Sequence, residues 1–226
     1  PIDFKIKRVR RAGDSLQVTI KNKTGTKVPV PLYGLAKDSV VYKTWIPPLD
    51  STVVVTIPRE GIRQLAVNHN RSVPEINNRT TYRNIKGIFN KPLQVRLFQD
   101  IEDPKYSQTF VMPVFAYNVY DGLSIGPKLY NKTVLPKNWN YRIQPRYGLK
   151  SNQLVGSASV VYTDFIQNSN LFAMRYGLSG ATSSYNVGLN FRRYTPFITF
   201  SFRDKDNLRS NKRQTISLRN INIDIE

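Results

Sequence analysis

The chain is predicted to be all-β: an N-terminal antiparallel β-sandwich at residues 1–78, then an antiparallel up-and-down meander of outer-membrane β-barrel type at residues 113–226, incomplete within this sequence. Three observations lead there. Short segments rich in Val, Ile, Thr and aromatics recur between turn signals in the first third of the chain. From Met112 onward the segments lengthen to about ten residues, and apolar and polar side chains alternate along them. No apolar run approaches the 18 or so residues of a membrane-spanning helix.

In order, the first strands are read in "DFKIKRVRR", "SLQVTIKN", "VPVPLYGL", "SVVYKTWI", "STVVVTI" and "RQLAVNH". Turn signals separate them at Gly13-Asp14, Thr24-Gly25, Lys37-Asp38, Pro47-Pro48 and Glu60-Gly61. Regular short strands of this kind make an antiparallel sandwich. Residues 79–112 lose that regularity and read as a connector. Within it "PLQVRLFQD" predicts one short helix, with Pro92 at its start and Leu93, Arg96 and Leu97 at helical spacing.

In the third part Leu123, Ile125 and Leu129 face one way and Ser124, Gly126 and Lys128 the other, because strand side chains alternate with period two. "YRIQPRYGL", "FAMRYGLSG", "YNVGLNFRRY" and "PFITFSFRD" repeat the pattern, with "KSN", "QNSN", "GATSS" and "DKDNLRSNK" read as turns. One face is apolar and aromatic and the other holds Arg, Asn, Gln, Ser and Gly, as a barrel between lipid and a polar lumen requires. The lipid face is assigned to Leu123, Tyr141, Ile143, Phe172, Met174, Tyr185, Leu189, Phe191, Phe200 and Phe202. About seven strands are expected after Val114. A bacterial barrel has an even number of at least about eight, so this sheet is not expected to close by itself. The alternating "INIDIE" at the end reads as a cut through a longer protein, and Pro1 as the start of a mature or excised piece.

Net charge is +19, from 34 Lys and Arg against 15 acidic residues, spread over both halves of the chain. Such a balance attracts nucleic acid, anionic lipid or lipopolysaccharide phosphates. Nucleic acid is not the expected partner, since no glycine-aromatic RNA-binding signature is present. With no cysteine there is no disulfide, thiolate zinc site or cysteine nucleophile.

Chemistry is sparse. His69 in "AVNHNRS" has no nucleophile or carboxylate beside it in sequence and reads as a surface or strand-end residue. "TGTK" at Thr24–Lys27 lacks the glycine spacing of a phosphate loop. Asp100, Glu102 and Asp103 read as a solvated turn before Pro104, and Asp204 and Asp206 as a solvated loop. The Asn-x-Ser/Thr sequences at Asn22, Asn70, Asn78 and Asn131 are what so Asn-rich a chain produces by chance. No catalytic, cofactor-binding or metal-ligating residue is assigned.

The phrases "VPVPLYGLAKDSVVYKTWIPP", "REGIRQLAVNHNRSVPEINNRTTYRN" and "KPLQVRLFQDIEDPKYSQTFVMPVFAYNVYDGLSIGPKLYN" resemble the C-terminal part of large gluzincin zinc metallopeptidases. These are aminopeptidase-type proteins of Gram-negative bacteria in which a β-sandwich and an outer-membrane-type barrel follow the peptidase. The likeness is strongest from Val28 to Asn131. The family's HExxH helix is absent from this sequence. The resemblance therefore implies a non-catalytic segment that supports an upstream peptidase domain and anchors it at the outer membrane. Zinc and peptide substrate belong to the parent protein, and lipid and other envelope proteins are the partners. Two alternatives stand beside it: an outer-membrane assembly subunit without activity, and a soluble basic β-rich module that binds an anionic polymer.

Overall fold

The structure is a computed structural model that describes residues 2–37, 39–75, 77–86, 89–98 and 101–225. Asp38, named above in a turn, and Asp100, named in the acidic cluster, lie outside the described residues. The chain forms two compact units, Pro1–Gln94 with Asp103–Ser107, and Val95–Glu102 with Gln108–Glu226.

The first unit is a sandwich of two antiparallel sheets. One holds β1 (Phe4–Ala12), β2 (Ser15–Asn22) and β5 (Thr52–Pro58) in the order β1-β2-β5. The other holds β3 (Val30–Ala36), β4 (Ser39–Ile46), β6 (Gln64–Val67) and β7 (Tyr82–Asn84) in the order β4-β3-β6-β7. Alternation explains the pairing. Phe4, Ile6, Leu16, Val18, Ile20 and Ile57 from the first sheet share one core with Val30, Leu32, Ile46, Leu65 and Val67 from the second. Lys5, Arg8 and Arg10 stay on the exposed side of β1, and Lys7 is exposed at its bulge. β3 is covered on both faces, since Tyr33 and Leu35 pack with Ala66 and Tyr82 in a second small cluster. Gly34 sits between them because a Cβ there would meet the Ile62 side chain at 2.5 Å.

Residues 79–112 are divided between the two units. A single 3-10 turn, Asn78–Thr80, precedes β7, whose residues pair with β6. The helix expected over "PLQVRLFQD" is corrected: Leu93–Leu97 form a strand, β8. Leu93, Val95 and Leu97 lie exposed while Gln94 and Arg96 are half-buried, a period of two that also fits the sequence. Five residues are too few to hold a helix by local bonds, and the strand gains a neighbour in β9.

The second unit is one wide meander: β9 (Ser107–Asn118), β10 (Gly122–Tyr130), β11 (Trp139–Gly148), β12 (Gln153–Phe165), β13 (Leu171–Asn186), β14 (Leu189–Arg203), β15 (Arg213–Arg219) and β16 (Asn222–Ile225). Their sheet runs β15-β14-β13-β12-β11-β10-β9-β8, with β16 also on β14. From β9 onward every pairing is antiparallel. β15 and β16 hold one register against β14. Phe197 faces Arg219 and Tyr194 faces Asn222, three residues apart on each strand. They are one edge strand interrupted at Asn220, which faces Pro196. Proline has no N–H for the ladder, and only the Asn220 N–H to Pro196 carbonyl bond remains, at 3.1 Å. The sheet thus fills eight strand positions: β8, and seven from β9 onward, the number expected after Val114. Among the described residues its two edges do not pair with each other.

Two further sequence readings are corrected. "GATSS" is not a turn but lies inside β13, which runs 16 residues to Asn186. The hairpin turns instead at Val187-Gly188, where Gly188 has φ +72°, a conformation that glycine adopts without strain.

Candidate functional site

The register of the second unit sorts its side chains onto two faces. Tyr117, Phe115 and Val111 of β9 stand opposite Leu123, Ile125 and Leu129 of β10, and Leu129 opposite Ile143 of β11. Across β11 and β12 the same face carries Trp139 with Tyr162, Tyr141 with Val160, and Tyr147 with Leu154. It continues through Met174, Tyr176 and Leu178 of β13 to Phe200, Ile198 and Pro196 of β14, and to Ile216 and Leu218 of β15. Most of these are exposed; Phe115, Tyr117, Trp139, Tyr194 and Leu218 are each more than half accessible. Trp139, Tyr162 and Tyr176 make an aromatic row near the strand ends, with ring centroids 5.0 and 5.3 Å apart. Among the described residues of β9 to β16, the charges on this face are Asp164 and the 4.0 Å pair Arg192 with Asp224.

The opposite face is polar and cationic. It carries Ser124, Lys128, Arg142, Gln144, Arg146, Ser157, Ser159, Arg175, Ser179, Arg193, Thr199, Arg203, Arg213 and Arg219. Apolar side chains, among them Phe110, Val114, Val155, Val161, Phe191, Phe197, Ile223 and Ile225, interrupt it. Eight of its residues are Lys or Arg, and no Asp or Glu lies on it among the described residues.

Eight of the ten side chains assigned to the lipid face can be followed by pairing. Leu123, Tyr141, Ile143, Met174, Phe200 and Phe202 lie on the aromatic face. Phe191 does not, since it pairs with Ser183 and Ile225 on the cationic side, and Leu189 shares its parity along β14. The cause is that "YNVGLNFRRY" and "PFITFSFRD" contribute to a single strand, so odd and even residues cannot change faces within it. Phe172 and Tyr185 stand at register shifts in β13, where an extra residue breaks the alternation. The Phe172 ring lies 4.9 Å beneath the Arg203 guanidinium.

The two ends of the sheet differ. At one end the connections are 119–121, 149–152 and 187–188; at the other they are 131–138, 166–170 and 204–212. The short-turn end is tied by Asp121, which is 1 % exposed. Its carboxylate accepts hydrogen bonds from Asn118 Nδ2 at 3.1 Å, Ser151 Oγ at 2.9 Å, the Ser184 N–H at 3.2 Å, and the Ser184 hydroxyl. One side chain thereby joins three successive hairpins. Burial alone would push its pKa up; the Ser184, Ser151 and Asn118 bonds outweigh that and hold it below the usual carboxylate range.

At the long-loop end, Glu102 accepts from Thr133 Oγ1 at 3.2 Å and lies 3.7 Å from Lys137 Nζ, both side chains of the ion pair being mostly covered. This corrects the solvated turn expected there. Asp103 caps its turn through the Lys105 N–H at 3.0 Å. Asp204 accepts from the Asp206 and Asn207 N–H groups, which lower its pKa.

In the first unit His69 is half-buried between two tyrosines. Its Nδ1 is 3.0 Å from Tyr82 Oη, and its ring centroid lies 5.6 Å from that of Tyr33. Burial pushes the Tyr82 phenol up to about 12, so the phenol keeps its proton. Asn22 is buried and donates to the Leu49 and Thr26 carbonyls, which occupies the amide of its Asn-x-Thr sequence. Among the described residues no three His, Cys, Asp or Glu side chains come together as a group that could hold a metal ion.

Glu75 is the one acid of this unit with a pKa strongly raised among the described residues. Its Oε2 accepts from Asn68 Nδ2 at 3.1 Å, while Oε1 is buried without a hydrogen bond. Burial, against the opposing bonds from the Asn68 side chain and the Phe4 backbone, pushes its pKa to about 7 from an ordinary 4.5. A raised folded pKa means that the folded state holds a proton the unfolded state has released. Stability is therefore highest below pH 4.5 and falls as pH rises toward 7. Glu75→Gln is expected to stabilise the sandwich by about 1–2 kcal/mol at pH 8 and hardly at all at pH 4.5, the shift being discounted for partial solvent access. Urea unfolding at both pH values measures this; an equal effect at both would contradict the assignment.

Compared with known proteins, the chain matches no family model, no curated protein and no solved structure.

Proposed function

We propose that the second unit is part of the wall of an outer-membrane β-barrel, and that this chain serves as a non-catalytic membrane anchor. The observation that carries this reading is the split of one wide meander into an exposed aromatic face and a cationic face. Water on both sides would leave the first face as an apolar patch far larger than soluble monomers expose. Lipid against it removes that cost and leaves the arginines toward a polar interior. This exposed face also argues against a soluble module that merely binds an anionic polymer.

Dimensions support the same assignment. Strands β9 to β14 have 9 to 16 residues, against the roughly 9–11 needed to cross a bilayer at a tilt. Trp139 and Tyr147 bound the aromatic face on β11. Eight residues apart, they are separated by roughly 26 Å along the strand and about 20 Å in height at the usual tilt. The band they bracket is most of the ~25 Å apolar belt of an outer-membrane barrel. Short turns at one end and long loops at the other match the periplasmic and outer ends of such barrels. The two open edges require further strands, since unpaired backbone is not tolerated against lipid.

The phrases between Val28 and Asn131 extend the reading: by their resemblance to gluzincin metallopeptidases, the anchored cargo is a zinc peptidase domain whose ligands are not in this sequence. An amine reagent that does not cross membranes tests the orientation. On intact cells Lys132, Lys205 and Lys212, in the long loops, should be labelled and Lys150, in a short turn, should not; after lysis all four should react. Labelling of Lys150 alone on intact cells would reverse the orientation, and extraction of the protein by carbonate would remove the anchor. The cargo is tested separately: about one zinc per native polypeptide and peptide hydrolysis are expected, and a metal-free inactive protein would leave an assembly subunit.

A further inference from the structure

The geometry points to the cationic face as a binding wall for soluble oxyanion solutes of the phosphate class. The inference rests on the membrane reading, which assigns lipid to the other face. Charge segregation motivates it. The chain has 15 acidic residues, yet none stands on this face among the described residues, where eight cations do. None of the eight forms an ion pair among the described residues, and Arg203 stands directly across from Arg213. Like charges opposite each other on one face repel, so an anion placed between them is favoured. Arg146 and Arg203 each have a buried Nε without a hydrogen-bond partner.

The residue type narrows the class. The chain has 16 Lys and 18 Arg, but seven of these eight cations are Arg. Guanidinium forks match tetrahedral oxyanions with two parallel hydrogen bonds, whereas lysine acts as a point charge. Serines and threonines interleaved on the same face, such as Ser159, Ser179 and Thr199, add neutral donors. Rings of Arg line pores that take anions and phosphate. A lipid phosphate is the less suitable source, because its acyl chains would have to lie on the polar side.

The test is calorimetric titration of the detergent-solubilised protein with inorganic tripolyphosphate. Arg142→Gln/Arg146→Gln/Arg175→Gln is compared with Lys5→Gln/Lys7→Gln/Arg10→Gln, which removes the same charge from exposed positions of β1. We expect at least about tenfold weaker binding for the first triple variant and a change within about twofold for the second. Equal weakening would assign the binding to general attraction by the +19 chain and overturn the inference, as would no binding by the unaltered protein. Displacement of tripolyphosphate by vesicles of anionic phospholipid would make the ligand a headgroup and overturn it too. Carbonate extraction of the same proteins keeps the two readings apart: membrane retention without selective binding defeats only this inference, and extraction defeats the membrane reading beneath it. Near-UV circular dichroism unchanged from the unaltered protein shows that each variant folds; should the first triple variant misfold, Arg146→Lys, which keeps charge and removes the fork, is expected to weaken binding about threefold or more, and an unchanged affinity would overturn the inference.

Discussion

Asp121→Ala is expected to destabilise the sheet of the second unit by about 3–4 kcal/mol, and Asp121→Asn by roughly half as much. The carboxylate is fully enclosed and gathers four donors from Asn118, Ser151 and Ser184. Truncation removes the acceptor of the buried Ser184 N–H and of the Ser151 hydroxyl, and opens a space where the carboxylate was enclosed. Asparagine keeps the shape but replaces one acceptor oxygen by a donor that faces other donors. Because the three partners come from the ends of three hairpins, the loss is felt along β9 to β14 rather than in one turn. The depressed pKa adds a sign: this stability is present above the ordinary carboxylate value of 3.8 and is lost as pH falls through the lower folded value. Urea unfolding followed by Trp139 fluorescence, in a Trp45→Phe background, reads the effect. A midpoint unchanged by Asp121→Ala would show that the hairpins hold without the knot, and an acid limb that survives in Asp121→Asn would assign the titration to another group.

Asp121 also shows where sequence reading runs out. Period-two alternation revealed the strands of the sandwich and most of the meander, because each buries or exposes one face and local pattern suffices for that. The all-β architecture and the aromatic face around Ile143, Met174 and Phe200 were legible for the same reason. Alternation could not decide where one strand ends. "GATSS" looks like a turn by composition, but it lies in β13, where Gly180, Ala181 and Thr182 pair with Tyr194, Arg193 and Arg192. Misplacing that turn split β14 in two and put Phe191 on the wrong face, the flip that a one-residue change of parity produces. Non-local contacts were invisible altogether. Asp121 and Ser184 are 63 residues apart, and nothing near either marks the other. The helix expected at Pro92 failed because Leu93, Val95 and Leu97 fit a strand as well as Leu93, Arg96 and Leu97 fit a helix, and a neighbouring strand decides between them.

Leu178→Arg should cost the protein about 2–4 kcal/mol in membrane insertion, while Ser179→Arg, one residue along, should cost less than about 1 kcal/mol. Leu178 lies seven residues from the start of β13 and eight from its end, at mid-height, with Val160 and Pro196 beside it on the aromatic face. An arginine there would meet the bilayer centre, too far from either headgroup layer to reach water by extending along the strand. Ser179 points the other way, between Ser159 and Thr195, where a guanidinium joins other arginines in a polar space. The two variants add the same charge at the same depth, so differences in synthesis or net charge cancel. A penalty of 2 kcal/mol lowers the inserted-to-free ratio about thirtyfold, which the carbonate-resistant fraction of the native protein in its envelope resolves. Equal insertion of both variants would sink the lipid-face assignment. A defect in Ser179→Arg alone would exchange the two faces and bring the arginines to the lipid side, which the cost of burying eight cations in hydrocarbon forbids for a single sheet, so that outcome would take the sheet out of the membrane altogether.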